Sequence, residues 1–140
     1  MENADCCRDE RGSQAEVIRL TEQLLIRQSF EHEAEHVFST WYSGMYVQID
    51  LIPEESQMVI SFTSAMKLSG IQRQYRQLNT LNRECSFGAH LMDPTVGCYT
   101  FRVSVWLSRH ITSKQLYILL DQCSGQAQKG VIRLRKKLPD

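Results

Sequence analysis

The sequence predicts an α+β fold in which helices pack on a five-stranded antiparallel sheet. Apolar residues alternate with polar ones over residues 45–51 and 99–107, as in strands with one buried face. Other stretches repeat apolar residues every three or four positions, as in amphipathic helices. Short turns between consecutive strands indicate antiparallel pairing. A chain of 140 residues with 42% hydrophobic content suffices for one domain with its own core.

The first half of the chain contains one predicted helix and three predicted strands. Residues 1–12 are predicted to form a flexible acidic tail ahead of a single domain over residues 13–140. Ser13-x-x-Glu16 is a capping-box pattern, and the apolar spacing after it predicts a helix that ends near Gln28. The predicted strands cover residues 37–42, 45–51 and, after a turn that begins at Pro53, 57–63.

The second half of the chain begins with another predicted helix, which is followed by the last two predicted strands of the sheet. Ser69-x-x-Gln72 is a second capping pattern, which predicts a helix that ends near Glu84. Residues 87–91 alternate as a strand that stops at Asp93-Pro94, a turn-forming pair. Residues 99–107 form the strongest predicted strand of the chain.

A third helix follows the last strand. Thr112-x-x-Gln115 is the pattern of its N-terminal cap. Gly125 and Gly130 are expected to break this helix into two parts, because glycine is a poor helix former, before the apolar spacing resumes to Leu138. The predicted element order is therefore α-β-β-β-α-β-β-α.

Composition excludes several classes of protein. Sixteen basic residues balance sixteen acidic ones, which argues against a surface built throughout to hold nucleic acid. No apolar run approaches the roughly 20 residues of a membrane span, and the polar, acidic start does not resemble a signal peptide. We therefore expect a cytoplasmic protein. The five cysteines include no C-x-x-C pair, and the role of Cys6 and Cys7 in the polar tail stays open.

One motif has the pattern of a zinc hydrolase. His32-Glu33-x-x-His36 is an H-E-x-x-H sequence, which on a helix places two histidines one turn apart with a glutamate as general base. Here Glu31 and Glu35 surround it with charge, and it falls where the helical pattern gives way to a strand. We expect a solvated polar turn, and a zinc-dependent hydrolase is kept as an alternative function.

A basic run near the C-terminus supports a second alternative. Residues 133–137 have the sequence Arg-Leu-Arg-Lys-Lys, which is suited to phosphate contacts of salt-dependent strength. No aromatic residues are interleaved with these charges. The same run also favours the C-terminal end of a helix dipole. A nucleic-acid-associated regulator is therefore the other alternative.

Trp106 lies on the otherwise polar side of the strongest predicted strand, together with Arg102. We assign His90 and Met92 to the corresponding side of the neighbouring strand. A tryptophan on a solvent-facing side indicates that something covers it: a helix of the same chain, a second subunit or a bound segment. These four residues are the predicted partner-binding residues, and no catalytic or metal-binding residue is predicted.

Several short motifs together resemble the YbjN domain family. They are Leu78-Asn79-Thr80-Leu81-Asn82 at the end of the second helix, residues 86–93 as a short aromatic-glycine strand that ends in Asp, the strand over residues 97–107, and residues 111–116 at the start of the last helix. With the element order, the resemblance covers about residues 14–138. Class I chaperones of type III secretion share this fold.

The resemblance implies a chaperone-like or regulatory protein without enzymatic activity or cofactor. Secretion chaperones of this fold are typically cytoplasmic homodimers that hold an extended segment of a partner protein. Such a segment is bound by strand addition to a sheet edge and by pockets for alternate side chains. We therefore expect this chain to be a homodimeric module that binds a partner protein or peptide, away from membranes and without nucleic acid.

Overall fold

Residues 2–136 of the chain form three α-helices and six strands. The computed structural model describes the backbone of these residues and the side chains of residues 13–136. In chain order, the elements are α1 (Glu2–Arg27), β1 (Glu31–Ala34), β2 (Val37–Tyr42), β3 (Met45–Ile52), a 3-10 turn (Pro53–Glu55), β4 (Gln57–Lys67), α2 (Gln72–Glu84), β5 (Ala89–Met92), β6 (Cys98–Trp106) and α3 (Ser113–Arg135).

All strands belong to one antiparallel sheet in the order β1-β2-β3-β4-β6-β5. The predicted α+β class and antiparallel pairing are confirmed. The sheet has six strands, however, where the sequence predicted five. The additional strand is β1, which extends the sheet beyond β2 at one edge.

The core lies between the helices and one face of the sheet. Apolar side chains alternate inward along β3, and Val47 and Ile49 are fully buried. Tyr99 and Phe101 from β6 lie in the same core. Against them the helices place a group of buried side chains: Val17, Ile18, Leu24, Leu25, Leu78, Leu81, Leu116, Leu120, Cys123 and Val131. The helices cover one face of the sheet because this burial removes the inward-facing apolar side chains of the strands from water.

β1 was missed because its side chains do not enter the core. All four of its residues are exposed, so the sequence Glu-His-Glu-Ala has no apolar alternation. The strand exists because its backbone pairs with β2, from Glu31 opposite Ser39 to Ala34 opposite Val37. A tight turn with a positive φ of 61° at His36 connects the two strands.

Two predicted helix starts were wrong. Helix α1 begins at Glu2, well before the predicted cap Ser13. The flexibility and acidic-tail character expected of residues 1–12 stay predictions, and the side chains of Cys6 and Cys7 lie outside the described residues. No side chain caps the start of α2. Instead, the carboxamide oxygen of Gln74 accepts hydrogen bonds from the backbone N–H groups of Ser69 and Gly70 at 2.9 and 3.1 Å.

Helix α3 is continuous from Ser113 to Arg135, so the predicted break was wrong. Its capping box is confirmed, because the side chains of Thr112 and Gln115 each bond the other residue's backbone N–H. Gly130 stays inside the helix because the absence of a side chain lets α3 approach the sheet. A Cβ at this position would overlap the Tyr99 hydroxyl. The predicted continuation to Leu138 lies outside the described residues.

β5 begins at Ala89, two residues later than predicted. Gly88 precedes it with a φ of 142°, and a Cβ there would lie 2.8 Å from the Arg102 carbonyl oxygen. The chain therefore bends at Gly88 before it can pair with β6. Phe87 lies outside the strand and packs edge-to-face on Phe101, with ring centroids 5.7 Å apart.

Candidate partner-binding surface

The sheet face opposite the helices is open, and its side chains are mostly polar. Successive strands align Gln48 of β3, Ser61 of β4 and Arg102 of β6 in one row across this face. The Arg102 Nε–H donates to Ser61 Oγ at 3.1 Å, and a guanidinium nitrogen lies 3.9 Å from the Asp93 carboxylate. We call this side of the sheet the open face.

Trp106 lies on the open face, at the end of β6 and opposite Gln57 of β4. Its side chain is 71% exposed. No helix in the described part of the chain covers it, which removes one of the three explanations that the sequence left open. Arg102 lies on the same face, as predicted from the alternation. The role of both residues in partner binding stays a prediction.

His90 and Met92 were assigned to the wrong face. In the β5–β6 pair, Ala89 lies opposite Arg102, whereas His90 lies opposite the core residue Phe101. His90 is only 2% exposed and its Nδ1 is hydrogen-bonded to the Tyr99 hydroxyl at 2.6 Å. Burial lowers the pKa of its imidazole below the ordinary value. The register of a strand pair is set by the turn, so counting along each strand separately does not determine the shared face.

A second exposed tryptophan on the open face was missed. Trp41 of β2 is also 71% exposed. Tyr46 of β3 lies opposite it and packs edge-to-face, with ring centroids 5.6 Å apart. The sequence contains no clear signal for this position, because residues 37–42 have apolar residues on both sides of the strand, and the outward direction of Trp41 follows only from its pairing with β3.

The two indoles occupy opposite corners of the open face. They are separated by three strand spacings and about six residue rises, which together give roughly 25 Å. The same face carries a cavity of about 490 Å³ whose lining residues are mostly polar. Its lining includes Tyr46, Gln48, Asp50, Ser61, Asp93 and Arg102. The open face thus combines two apolar anchors at its corners with a hydrogen-bonding centre.

The two edges of the sheet differ in what they offer a partner strand. At the β5 edge, the Asn82 carboxamide donates to the His90 carbonyl oxygen at 2.9 Å and accepts from the His90 N–H at 2.6 Å. This side chain occupies the backbone groups that an added strand would use. At the other edge, all four residues of β1 are exposed. Strand addition is therefore open at β1 and obstructed at β5.

The solved structures that are similar to this chain include the following three. YbjN from E. coli, a candidate transcription regulator, has a TM-score of 0.59 at 15% identity, with 84% of this chain and 88% of that chain covered. The ExsC–ExsE complex has a TM-score of 0.62 at 17% identity, with 82% and 90% covered. The Yersinia pestis type III secretion chaperone SycH, in complex with a stable fragment of YscM2, has a TM-score of 0.56 at 15% identity, with 81% and 98% covered. The chain has a YbjN-like, secretion-chaperone-like fold.

This likeness confirms the fold that the sequence motifs indicated. No family model matches the sequence, and no curated protein matches it either. The YbjN-like fold is thus recognised through its architecture and a few short motifs. None of its helices in the described part of the chain is both long and apolar enough to cross a bilayer.

The H-E-x-x-H motif does not have the geometry of a zinc hydrolase in this YbjN-like fold. His32 lies on strand β1, where its ring stacks on Phe38 with centroids 4.6 Å apart. His36 lies in the following turn, and its Nδ1 is 3.2 Å from a Glu22 carboxylate oxygen. The motif needs a helix to aim both imidazoles at one ion. Among the described residues, no three His, Cys, Asp or Glu side chains are grouped to hold a metal.

The basic C-terminal run is partly used within the fold. Arg133 and Lys129 each approach the Glu84 carboxylate of α2 at 3.5 Å. Leu134 is buried, so the run is one side of a packed helix rather than an unattached basic tail. Lys137 lies outside the described residues. Nothing in this arrangement favours a nucleic-acid partner.

Acidic and basic residues are separated along the whole chain, beyond the acidic N-terminal tail and the basic C-terminal run. Residues 28–66, which hold β1 to β3 and most of β4, contain six acidic residues and no lysine or arginine. Residues 67–136 contain eleven basic residues and three acidic ones. The net charge of zero therefore conceals an acidic half and a basic half, and a charged partner would distinguish between them.

Proposed function

We propose that this chain is a chaperone-like binding module that holds an extended segment of a partner protein against the open face. The observation that carries the proposal is the uncovered sheet face with two tryptophans, each 71% exposed. Large aromatic side chains left in water are characteristic of surfaces that become covered on binding. The similar solved structures that contain two proteins, ExsC with ExsE and SycH with a fragment of YscM2, are consistent with such a role.

Strand addition at β1 is the expected backbone contact. β1 has only four residues, so an added strand would gain few main-chain hydrogen bonds. Most of the affinity must then come from side chains. An extended chain rises about 3.3 Å per residue, so a partner segment of about eight residues spans the roughly 25 Å between the two indoles. Pairing with the four residues of β1 takes about four further residues, so a segment of about twelve residues is needed to pair with β1 and then cross the open face from Trp41 to Trp106.

Site-specific photo-cross-linking tests this proposal. A photoreactive amino acid at Ser104, which is exposed on the open face, should cross-link one partner near stoichiometrically when the tagged chain is expressed in its native source. The matched control carries the same group at Tyr117, which is exposed on α3. The double variant Trp41→Ala/Trp106→Ala should lose the Ser104 product. Equal products from Ser104 and Tyr117, or an unaffected double variant, would contradict the proposal.

Catalysis has no part in this proposal. We infer a binding protein without enzymatic activity, because its most distinctive surface is an apolar and hydrogen-bonding sheet face rather than a reactive constellation. The homodimer and the cytoplasmic location implied by the resemblance stay predictions. Light scattering coupled to size-exclusion chromatography tests the homodimer directly, and a monomer at micromolar concentration would contradict it.

A further inference from the structure

A small cavity lies on the open face where β1, β2 and β3 meet, with a volume of about 150 Å³. Two carboxylates and two aromatic rings line it: Glu31, Glu33, Trp41 and Tyr46. We call these four residues the acidic-aromatic pocket. Its lining differs from the rest of the open face, where the central cavity has side chains of both charges.

We propose that the acidic-aromatic pocket binds a lysine or arginine side chain of the partner segment. This inference rests on the proposed function and specifies the chemistry of the partner. Carboxylates attract a cation through charge, and the face of an indole attracts it through the ring quadrupole. A cationic side chain is the ligand that satisfies both kinds of wall.

The backbone directs both carboxylates to the same side of the sheet. Glu31 lies opposite Ser39 in the β1–β2 pair. The register shifts between His32 and Ala34, and the Glu33 carboxylate accepts a hydrogen bond from the Ser39 hydroxyl. Ser39 faces outward on the side of Trp41, two residues further along β2. The bond to Ser39 therefore holds one carboxylate beside the indole.

The aromatic wall is held in place from the neighbouring strand. Tyr46 packs edge-to-face on Trp41 at an interplanar angle of 66°. This contact supports one side of the indole while most of the residue remains in water. A charged residue on an edge strand protects the sheet from self-association. That role accounts for Glu31 and Glu33 but leaves the adjacent aromatic pair and the cavity unexplained.

No basic side chain of the surrounding strands neutralises the pocket. Residues 28–66 contain no lysine or arginine. Within the described part of the chain, neither Glu31 nor Glu33 forms an ion pair. The two charges are thus available to an incoming cation, and charge complementarity selects a basic partner residue at this position.

The two tryptophans allow a direct test, because Trp41 lines the pocket and Trp106 lies at the far corner of the open face. The indole N–H signals of the ¹⁵N-labelled full chain would be followed by NMR and assigned with Trp41→Phe. The probes are N-acetyl-arginine amide and N-acetyl-lysine amide. The neutral comparison is N-acetyl-citrulline amide, which has nearly the shape of the arginine probe.

The arginine or lysine probe should shift the Trp41 signal saturably, with little change at Trp106, and the citrulline probe should not. Glu31→Gln/Glu33→Gln should weaken the response about tenfold, since two charge contacts are lost. Glu54→Gln/Glu55→Gln removes the same charge from two exposed residues of the 3-10 turn and should leave the response unchanged. The amide spectrum of each variant shows whether it is folded.

An equal shift of the Trp41 signal with the citrulline probe, or an unchanged response in Glu31→Gln/Glu33→Gln, would overturn the proposal that this pocket binds a cationic side chain. Neither result bears on the photo-cross-linking at Ser104, so the proposed function can survive the loss of this inference. Loss of a salt-sensitive homodimer in Glu31→Gln/Glu33→Gln would also overturn it, because the cation would then come from a second copy of the chain.

Discussion

Replacement of Trp106 by alanine should weaken partner binding far more than it weakens the fold. A tryptophan buries up to roughly 250 Å², and the Trp106 side chain is 71% exposed. About 180 Å² is therefore free for a partner to cover, and about 70 Å² is already covered by this chain. At about 25 cal/mol per Å², these areas correspond to about 4.5 and about 2 kcal/mol, both as upper bounds.

Only part of the free energy calculated from the buried area appears as binding affinity, because association also has entropic and desolvation costs. We therefore expect Trp106→Ala to cost about 2 kcal/mol of affinity, or roughly thirtyfold in Kd. The free energy of unfolding should fall by about 1 kcal/mol. Titration of the captured partner segment by calorimetry measures the first quantity, and urea denaturation measures the second. Phe101→Ala is the control for core damage, which should cost about 3–5 kcal/mol of stability. An unchanged Kd, or a stability loss as large as that of Phe101→Ala, would refute this reasoning.

Three further predictions concern stability. Gly130→Ala should destabilise the protein by about 2–4 kcal/mol, because its Cβ would overlap the Tyr99 hydroxyl. The control Gly125→Ala has open space around its Cβ and should be neutral or stabilise the protein by up to about 1 kcal/mol. Urea denaturation of the two variants measures both effects. Burial lowers the pKa of His90, so the unfolded chain takes up this proton more readily, and stability should fall as the pH drops below about 6.5. His90→Asn should flatten that dependence, and an unchanged slope would count against the assignment. Asn82→Ala removes two hydrogen bonds to the β5 backbone and should cost about 1–3 kcal/mol, with faster hydrogen exchange at the His90 amide, while the exposed Asn79→Ala should change neither quantity.

Much of the fold could be predicted because buried and exposed side chains repeat at a fixed spacing along each strand and helix. The alternation along β3 and β6 and the capping box at Thr112 are local signals, and the structure confirms each of them. β1 has no such signal, because an exposed edge strand is defined by backbone pairing alone. The continuity of α3 was equally hidden, since the glycine that weakens a helix in isolation is required here by a neighbouring strand.

The candidate site was predicted only in part. Trp106 and Arg102 were placed correctly on the outward face, because both belong to one strand with a clear alternation. His90 was misplaced because the shared face of two strands depends on their register, which a turn sets and which single-strand counting ignores. Trp41 and the two carboxylates beside it come together only through the pairing of β1, β2 and β3.

The sequence by itself determined the fold class, the identity of most elements and the outward position of Trp106, because these depend on periodicities of two or 3.6 residues within one segment. Only the tertiary structure decided which face the helices leave open, which sheet edge is blocked by Asn82, and which acidic residues meet an aromatic pair. Those properties depend on contacts between residues far apart in the chain. They arise from strand register and helix packing, which no single segment encodes.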